Sequence, residues 1–280
     1  MKKLICNGCS FMAGDAVLWE NYCKENNREV TDYRQSDLTD YLEYRMNHNL
    51  PMMLAKILGT NRIDVSSDGN SNDMIALNTI NYILSLPKDE RSNYHAVVGW
   101  TSTYRRMKFF TEASCFVNLN IHHLDEIVTA HGGNNHLAMI SSFKNYIKTE
   151  LVESADEDHY INYIKNVMLL ENFLIANNIT YTFYRAIGSA NDCIVRPHTL
   201  QPEWTGPLLD KEISDSTCWL QFMHDEKYPH LGSAWSSAIL DNNSSNFISN
   251  DNRHPNLRAV ENFANILSDK ILRQNLSMIN

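Results

Sequence analysis

A serine near the start of the chain stands where a nucleophile could work. Ser10 follows the apolar run 4–6 and the small residues Gly8 and Cys9, and a helix-compatible stretch, Asp15 to Tyr22, comes after it. Reacting groups collect where a parallel strand turns into a helix, and a helix N-terminus favours developing negative charge. Ser10 is therefore a candidate nucleophile. The same pattern is more often only a turn, so it needs partners elsewhere in the chain.

A base and an orienting acid stand near the other end of the sequence. Asp251 and His254 are separated by two residues and precede Pro255 and an amphipathic helical pattern. In a turn, Asp251 can accept from one ring nitrogen of His254 while the other nitrogen faces outward. These are the roles of the orienter and the general base in a hydrolytic triad. Capping of the following helix explains this motif equally well when it is taken alone.

The junction after the second expected strand also carries groups that could bind a ligand. The strand 63–66 runs into a turn that contains Gly69, and an apolar helical pattern begins at Met74. Because Gly69 has no side chain, a ligand could approach its backbone N–H and accept a hydrogen bond from it. Residues 71–73 are candidate helix caps. Capping alone is the simpler explanation of this junction.

Further strands and helices are expected to hold these junctions together. The run 95–99 reads as a buried strand, and the loop 99–106 follows it. Helical apolar spacing predicts helices over 51–59, over 158–178 and after Pro255, and the β-rich run 179–184 predicts another strand. Repeated strand, loop and helix units favour a parallel, doubly wound sheet whose strand ends share one edge.

Composition narrows the function classes. The 280 residues are 43% hydrophobic and 20% charged, with a formal charge of −9, which argues against a general nucleic-acid binder. No apolar run approaches the roughly 20 residues that span a bilayer. The N-terminal apolar segment is interrupted too early for a signal peptide, and six scattered cysteines fit reduced thiols. We therefore expect a cytoplasmic protein without a membrane span.

Cys6 and Cys9 form a C-x-x-C motif, which offers a rival interpretation of the first junction as a redox or zinc site. No second C-x-x-C or C-x-x-H accompanies it. If residues 3–8 form a strand, Cys6 is a core side chain and only Cys9 reaches the turn. The histidines between 122 and 136 match no zinc spacing either, so no metal site is predicted.

Taken together, the blocks resemble the SGNH hydrolases, also called GDSL-type esterases and lipases. The resemblance consists of Gly8-Cys9-Ser10, the Gly-x-Ser-Asn junction 69–72, the Gly-containing junction 99–102 and Asp251-x-x-His254-Pro255, in that order. It implies a three-layer α/β/α sandwich with a central parallel sheet, the flavodoxin-like SGNH fold. It also implies a serine esterase that needs no metal or organic cofactor. The block 99–102 is similar, in addition, to SGNH-like proteins of bacteriophages, which implies a viral protein made in a bacterial host.

The resemblance assigns roles residue by residue. It implies Ser10 as nucleophile, His254 as general base, Asp251 as its orienter, and the N–H groups of Ser10 and Gly69 as oxyanion donors. Two positions depart from the family pattern: Cys9 replaces an acidic residue, and Thr101 stands where the family has an asparagine that donates to the oxyanion. Thr101 or the nearby Asn72 is expected to fill that gap. Without such a donor, the fold would serve as a catalytically silent binding module for a glycan or a protein.

The remaining stretches are expected to be insertions in a single domain over residues 1–280. They lie at about 20–50, 107–155 and 185–248. The first is predicted to run over the surface, the second to form a helical subdomain or lid, and the third to be irregular and rich in aromatic residues. The expected partner is a small-molecule or glycan ester, such as an O-acetylated sugar.

Overall fold

The chain forms an α/β structure around a parallel sheet. The structure, a computed structural model, describes residues 2–28, 39–102, 105–110, 115–120, 156–186 and 257–277. Its strands are β1 (Lys3–Asn7), β2 (Arg62–Asp64), β3 (Tyr94–Trp100), β4 (Arg105–Phe110), β5 (Cys115–Asn120) and β6 (Thr180–Arg185). Four of them form a sheet in the order β2-β1-β3-β6, and each strand of it is parallel to its neighbours. The predicted strands and their parallel arrangement are confirmed.

Helices connect these strands and pack in pairs. They are α1 (Ser10–Ala13), α2 (Asp15–Glu25), α3 (Thr39–His48), α4 (Leu50–Leu58), α5 (Asn72–Ser85), α6 (Asp156–Ala176) and α7 (Leu257–Ser277). Helix α4 packs against α7, and α5 packs against α6. The predicted helices at 51–59, 158–178 and after Pro255 are confirmed. None of the helices in the described ranges has the length and apolar character needed to cross a membrane.

The centre of the sheet is shielded from solvent. Every residue of β3 is buried, as expected for a central strand of a parallel sheet, which is covered by other elements. Packing there is close enough to exclude even a methyl group: a Cβ added at Gly99 would lie 2.5 Å from the hydroxyl oxygen of Tyr184. Gly99 thus leaves room for the ring of Tyr184, its neighbour on β6.

A strand pair follows the sheet where a helical insertion was predicted. Strands β4 and β5 pair antiparallel, with Arg105 opposite Asn120. The prediction of a helical subdomain from residue 107 onward is wrong for these described residues, and the expected loop ends before Arg105. The sequence RRMKFF has no helical period, and its strand character is stabilised by pairing with a neighbouring segment.

The stretch predicted as a surface insertion near residues 20–50 contributes to the core. Helix α2 continues to Glu25, and α3 begins at Thr39. The side chain of Tyr41 in α3 is fully buried, and its ring makes edge contacts with Trp19 and Tyr22 of α2 at centroid distances of 4.9 and 5.3 Å. Aromatic contacts of this kind stabilise helix pairs that lack a clean aliphatic stripe.

His95 is buried in the middle of the sheet between two threonines of β6. Its Nδ1 and Nε2 atoms lie 2.9 Å from the hydroxyl oxygens of Thr180 and Thr182, respectively. Because the Thr182 hydroxyl donates to Gln274 of α7, it accepts from His95 Nε2–H, and Nδ1 accepts from Thr180. This arrangement suits a neutral ring. Burial, aided by the charge of Lys2, lowers the pKa of His95 to about 3.

The buried ring makes stability depend on pH. In the unfolded chain His95 binds a proton near pH 6.5, whereas the folded state resists protonation down to about pH 3. The folded pKa is lower, so this stabilisation is complete above pH 6.5 and is lost as the pH falls towards 3, by about 1.4 kcal/mol per pH unit. Urea unfolding at several values between pH 7 and pH 5 should show a shallower slope for His95→Gln than for the native chain. Equal slopes would contradict the assignment.

Candidate active site

The loops after β1, β2 and β3 meet at the carboxyl edge of the sheet. In the sheet, β2 lies on one side of β1 and β3 lies on the other, so the connections after β1 and β2 lead in opposite directions along the sheet. Ligands in open α/β sheets bind at such a switch point. The described parts of these loops are 8–9, 65–71 and 101–102, so Ser10, Gly69, Asn72 and Thr101 all lie at this edge.

Ser10 is the first residue of α1, with Cys9 as the N-cap. Its backbone N–H therefore belongs to the first turn of a helix, where N–H groups have no intrahelical acceptor. The helix is short and ends when Gly14 N–H donates to the Ser10 carbonyl at 2.7 Å. Only 8% of Ser10 is exposed, so its hydroxyl lies in a sheltered position at the end of β1.

Two buried asparagines hold the loop that carries Ser10. Asn7, the last residue of β1, accepts from Gly8 N–H at 2.8 Å and donates to the Ile75 carbonyl of α5 at 2.9 Å. Asn70, in the loop after β2, donates to the Gly8 carbonyl at 3.1 Å. The loop before Ser10 is thereby joined both to α5 and to the β2–α5 connection. Sequence analysis did not identify Asn7 or Asn70; the available signal was an asparagine next to a glycine in the first two of these junctions, Asn7-Gly8 and Gly69-Asn70.

Gly69 lies at the tip of the β2–α5 loop. Its φ of +70° is in the left-handed region, and an added Cβ would meet nothing within 4 Å. Glycine is therefore favoured here by backbone conformation and not by space. The neighbouring Asp68 accepts from Arg45 of α3 at 2.8 Å, an ion pair that connects this loop to α3.

Asn72, the first residue of α5, binds the backbone after β3. Its Oδ1 accepts from Thr101 N–H at 2.9 Å, and its Nδ2 donates to the carbonyls of Thr101 and Ser102 at 3.3 and 3.0 Å. Both Asn72 and Thr101 are buried. The Asn72 side chain thus joins the start of α5 to the end of β3, and Ser71 caps the helix by accepting from Met74 N–H at 3.3 Å.

The backbone of Thr101 is hydrogen-bonded to Asn72, but its side-chain hydroxyl has no hydrogen-bond partner among the described residues. The residue is 0% exposed, and its Oγ1 makes no hydrogen bond within the described part of the chain. Leaving a hydroxyl buried without a hydrogen bond costs about 1–3 kcal/mol. This hydroxyl is therefore a hydrogen-bond donor at the end of β3 that the described residues do not use.

The C-x-x-C cysteines belong to the core. Cys6 and Cys9 are both buried and free, and Cys6 lies within β1 as predicted. Burial, with a smaller effect from Asp64, raises the pKa of Cys6 well above its usual value. A buried thiol with a raised pKa has little thiolate at neutral pH, which is the opposite of a reactive redox cysteine.

Asp64, at the end of β2, is a half-buried acidic residue near this edge that the sequence analysis did not identify. It accepts from Asn49 Nδ2 at 2.7 Å and from Ser66 N–H at 3.0 Å. Burial raises its pKa, while these hydrogen bonds and Arg62 act in the opposite direction. Since Asn49 also caps α4, this carboxyl connects α4 to the β2 loop. Asp251 and His254, in contrast, lie outside the described residues, as does the predicted aromatic-rich stretch.

The fold defines the chain as an α/β protein with a parallel sheet, and polar residues lie at its switch point. The chain belongs to a family of unknown function, DUF6071, whose model matches residues 28–278. The match includes Gly69, Asn72, Thr101, Asp251 and His254 and begins after Ser10. No curated protein and no solved structure is significantly similar to the chain.

Replacing Asn72 should destabilise the whole protein. Asn72→Ala leaves the buried N–H of Thr101 without its acceptor and removes a donor from the carbonyls of Thr101 and Ser102, which should lower the free energy of unfolding by about 2–3 kcal/mol. Asn172→Ala, a change on the exposed surface of α6, should alter it by less than about 0.5 kcal/mol. Urea denaturation of both variants measures the difference. Similar values for the two would show that the Asn72 amide does not hold the loop.

Proposed function

We propose that the protein is a serine esterase of the SGNH type that hydrolyses a carboxylic ester of a small molecule or glycan. The observation that supports this most is the edge of the sheet where a sheltered Ser10 begins a helix and Thr101 contributes a hydroxyl without a partner among the described residues. A nucleophile and a spare donor at one switch point are the parts that acyl transfer needs.

The proposed fold is the three-layer α/β/α sandwich, and alternating side chains on β3 support it. The Trp100 ring contacts Tyr163 of α6 at a centroid distance of 6.0 Å. His95, an odd number of residues away, binds Thr182, whose hydroxyl reaches Gln274 of α7. Side chains an odd number of residues apart on a strand point to opposite faces. Helices α6 and α7 would then cover opposite faces of the sheet.

In the proposed mechanism, Ser10 Oγ attacks the ester carbonyl carbon while His254 takes the hydroxyl proton and Asp251 orients the imidazole. The tetrahedral oxyanion accepts from the N–H groups of Ser10 and Gly69. The C–O bond then breaks, and His254 protonates the leaving alcohol. Water, deprotonated by His254, attacks the acyl-enzyme and frees the acid and Ser10. None of these steps requires a metal or an organic cofactor.

We assign the third oxyanion donor to Thr101 and not to Asn72. The Asn72 amide is occupied by the backbone of Thr101 and Ser102. The Thr101 hydroxyl, without a partner in the described structure, can donate without breaking an existing hydrogen bond. Preorganised donors of this kind stabilise the oxyanion because they need no rearrangement when charge develops.

Ser10→Ala should abolish both hydrolysis and covalent labelling. Removing a triad nucleophile should lower kcat by roughly a thousandfold or more. Hydrolysis of p-nitrophenyl acetate and labelling by a fluorophosphonate, with the modified residue mapped by mass spectrometry, measure both effects. Ser85→Ala, at the far end of α5, is the matched control. If the folded native chain neither hydrolyses the ester nor is labelled, the catalytically silent binding module is favoured. The sequence feature that supports this alternative is Thr101 at the position where the SGNH family has an asparagine.

Thr101→Val tests the donor separately from the fold. Because the hydroxyl has no partner in the described part of the chain, its loss should leave stability unchanged or raise it by about 1 kcal/mol. Loss of one oxyanion donor should lower kcat by about a hundredfold. Thermal unfolding and ester hydrolysis are measured on the same sample. Full activity in Thr101→Val would remove this residue from the oxyanion site.

A further inference from the structure

Arg105 is the first residue of β4 and lies beside the loop that follows β3. Its backbone N–H donates to the Ser102 carbonyl at 3.1 Å, and Ser102 is held in turn by Asn72. Two residues further along β4, Met107 N–H donates to the Asp73 carboxylate of α5 at 3.0 Å. The start of β4 is therefore attached to the same edge of the sheet as Thr101.

The guanidinium of Arg105 has no acidic partner in the described part of the chain. Ion pairs there join Lys24, Arg28 and Arg45 to carboxylates, and none includes Arg105. Arg105 is half-buried, and its Nη1 atom is shielded from solvent without a hydrogen-bond acceptor among the described residues. A shielded charged donor without an acceptor is costly, so an anion that bound there would be stabilised.

The nearby carboxylate of Asp73 does not supply that acceptor. Besides Met107 N–H, it accepts from Asn162 Nδ2 at 3.2 Å and from Asn166 Nδ2 at 3.0 Å, both on α6. Asp73 thus joins α5, α6 and β4 through neutral donors. Within the described ranges the Arg105 guanidinium forms no ion pair, in a chain whose net charge is −9.

We propose that Arg105 binds an anionic group, a carboxylate or a phosphate, of the ester substrate. A guanidinium donates to such groups in a planar, two-pronged geometry that lysine cannot reproduce. The proposal rests on the esterase function and names its substrate class: an ester that carries a negative charge near the scissile bond. Arg105 is a specificity residue in this scheme and takes no part in bond breaking.

Arg106 provides the matched control. Adjacent residues on a strand direct their side chains to opposite faces, so Arg106 and Arg105 do not share a surface. In Arg106 the shielded atom without a partner in the described structure is Nε, at the base of the guanidinium and not at its tip. Arg106→Gln therefore removes one positive charge from β4, as Arg105→Gln does, but leaves the proposed anion-binding guanidinium of Arg105 in place.

The first measurement compares two esters of similar size, neutral p-nitrophenyl butyrate and anionic p-nitrophenyl hemisuccinate. Arg105→Gln should lower kcat/KM for the hemisuccinate by about tenfold or more and leave the butyrate unchanged. Arg105→Lys should recover part of the loss, and Arg106→Gln should change neither ester. Equal effects of Arg105→Gln on both esters would overturn the proposal.

The second measurement does not depend on catalysis. Inorganic phosphate is titrated into the native chain and each variant by calorimetry, and Arg105→Gln should weaken its binding by about tenfold or more. No phosphate binding to the native chain, or binding that Arg105→Gln leaves intact, would overturn the anion site. If Ser10 is not labelled but phosphate binding still requires Arg105, the esterase function fails while the anion site stands.

Discussion

The site depends on buried asparagine amides that satisfy the backbone where the strands end. Beyond the last residue of a strand, peptide groups lose their ladder partners and, when buried, must find others. Asn7 and Asn70 supply partners to the N–H and the carbonyl of Gly8 after β1, and Asn72 supplies one to Thr101 N–H after β3. An amide both donates and accepts, as a peptide group does, and it introduces no charge. Hydrogen bonds between neutral, buried groups thereby hold together the three loops that follow β1, β2 and β3.

This way of holding the loops suits a site that must stabilise developing charge. Donors to an oxyanion are effective when their positions are fixed in advance. The loops around Ser10 and Thr101 are fixed by buried amides, whereas the Gly69 loop is exposed at its tip and is held by the Arg45–Asp68 ion pair. Helix α3 therefore influences the most exposed of the proposed donors, although it contributes no residue to the edge itself.

Burial in the sheet also favours one protonation state of several core groups. His95 is kept neutral and Cys6 is kept protonated, in each case mainly by desolvation. Asp64 experiences the same effect at the end of β2. In the proposed site the sheet therefore contributes shape and hydrogen bonds, and the charge that would act on a substrate is that of Arg105 at its rim.

Regular elements with strong patterns were predictable, and elements formed by tertiary contacts were not. The apolar run of β3 and the helical spacing of α6 were read correctly because burial alone favours them. Helix α3 was missed because its buried side is a single tyrosine packed on two aromatic rings of α2. Strand β4 was missed because its sequence is charged and its strand conformation comes from pairing with β5.

For the candidate site, the sequence by itself predicted that the residues after successive strands would lie at one edge, because every carboxyl end of a parallel sheet lies at the same edge. The strand order β2-β1-β3, which the tertiary structure decides, places the loops of Ser10, Gly69 and Thr101 side by side. Only the tertiary structure decided which polar groups are already occupied. The Asn72 amide is taken up by a backbone 29 residues away, while the Thr101 hydroxyl is left free of partners in the described structure. Hydrogen bonds depend on atomic positions contributed by distant segments, and residue type and spacing carry no such information.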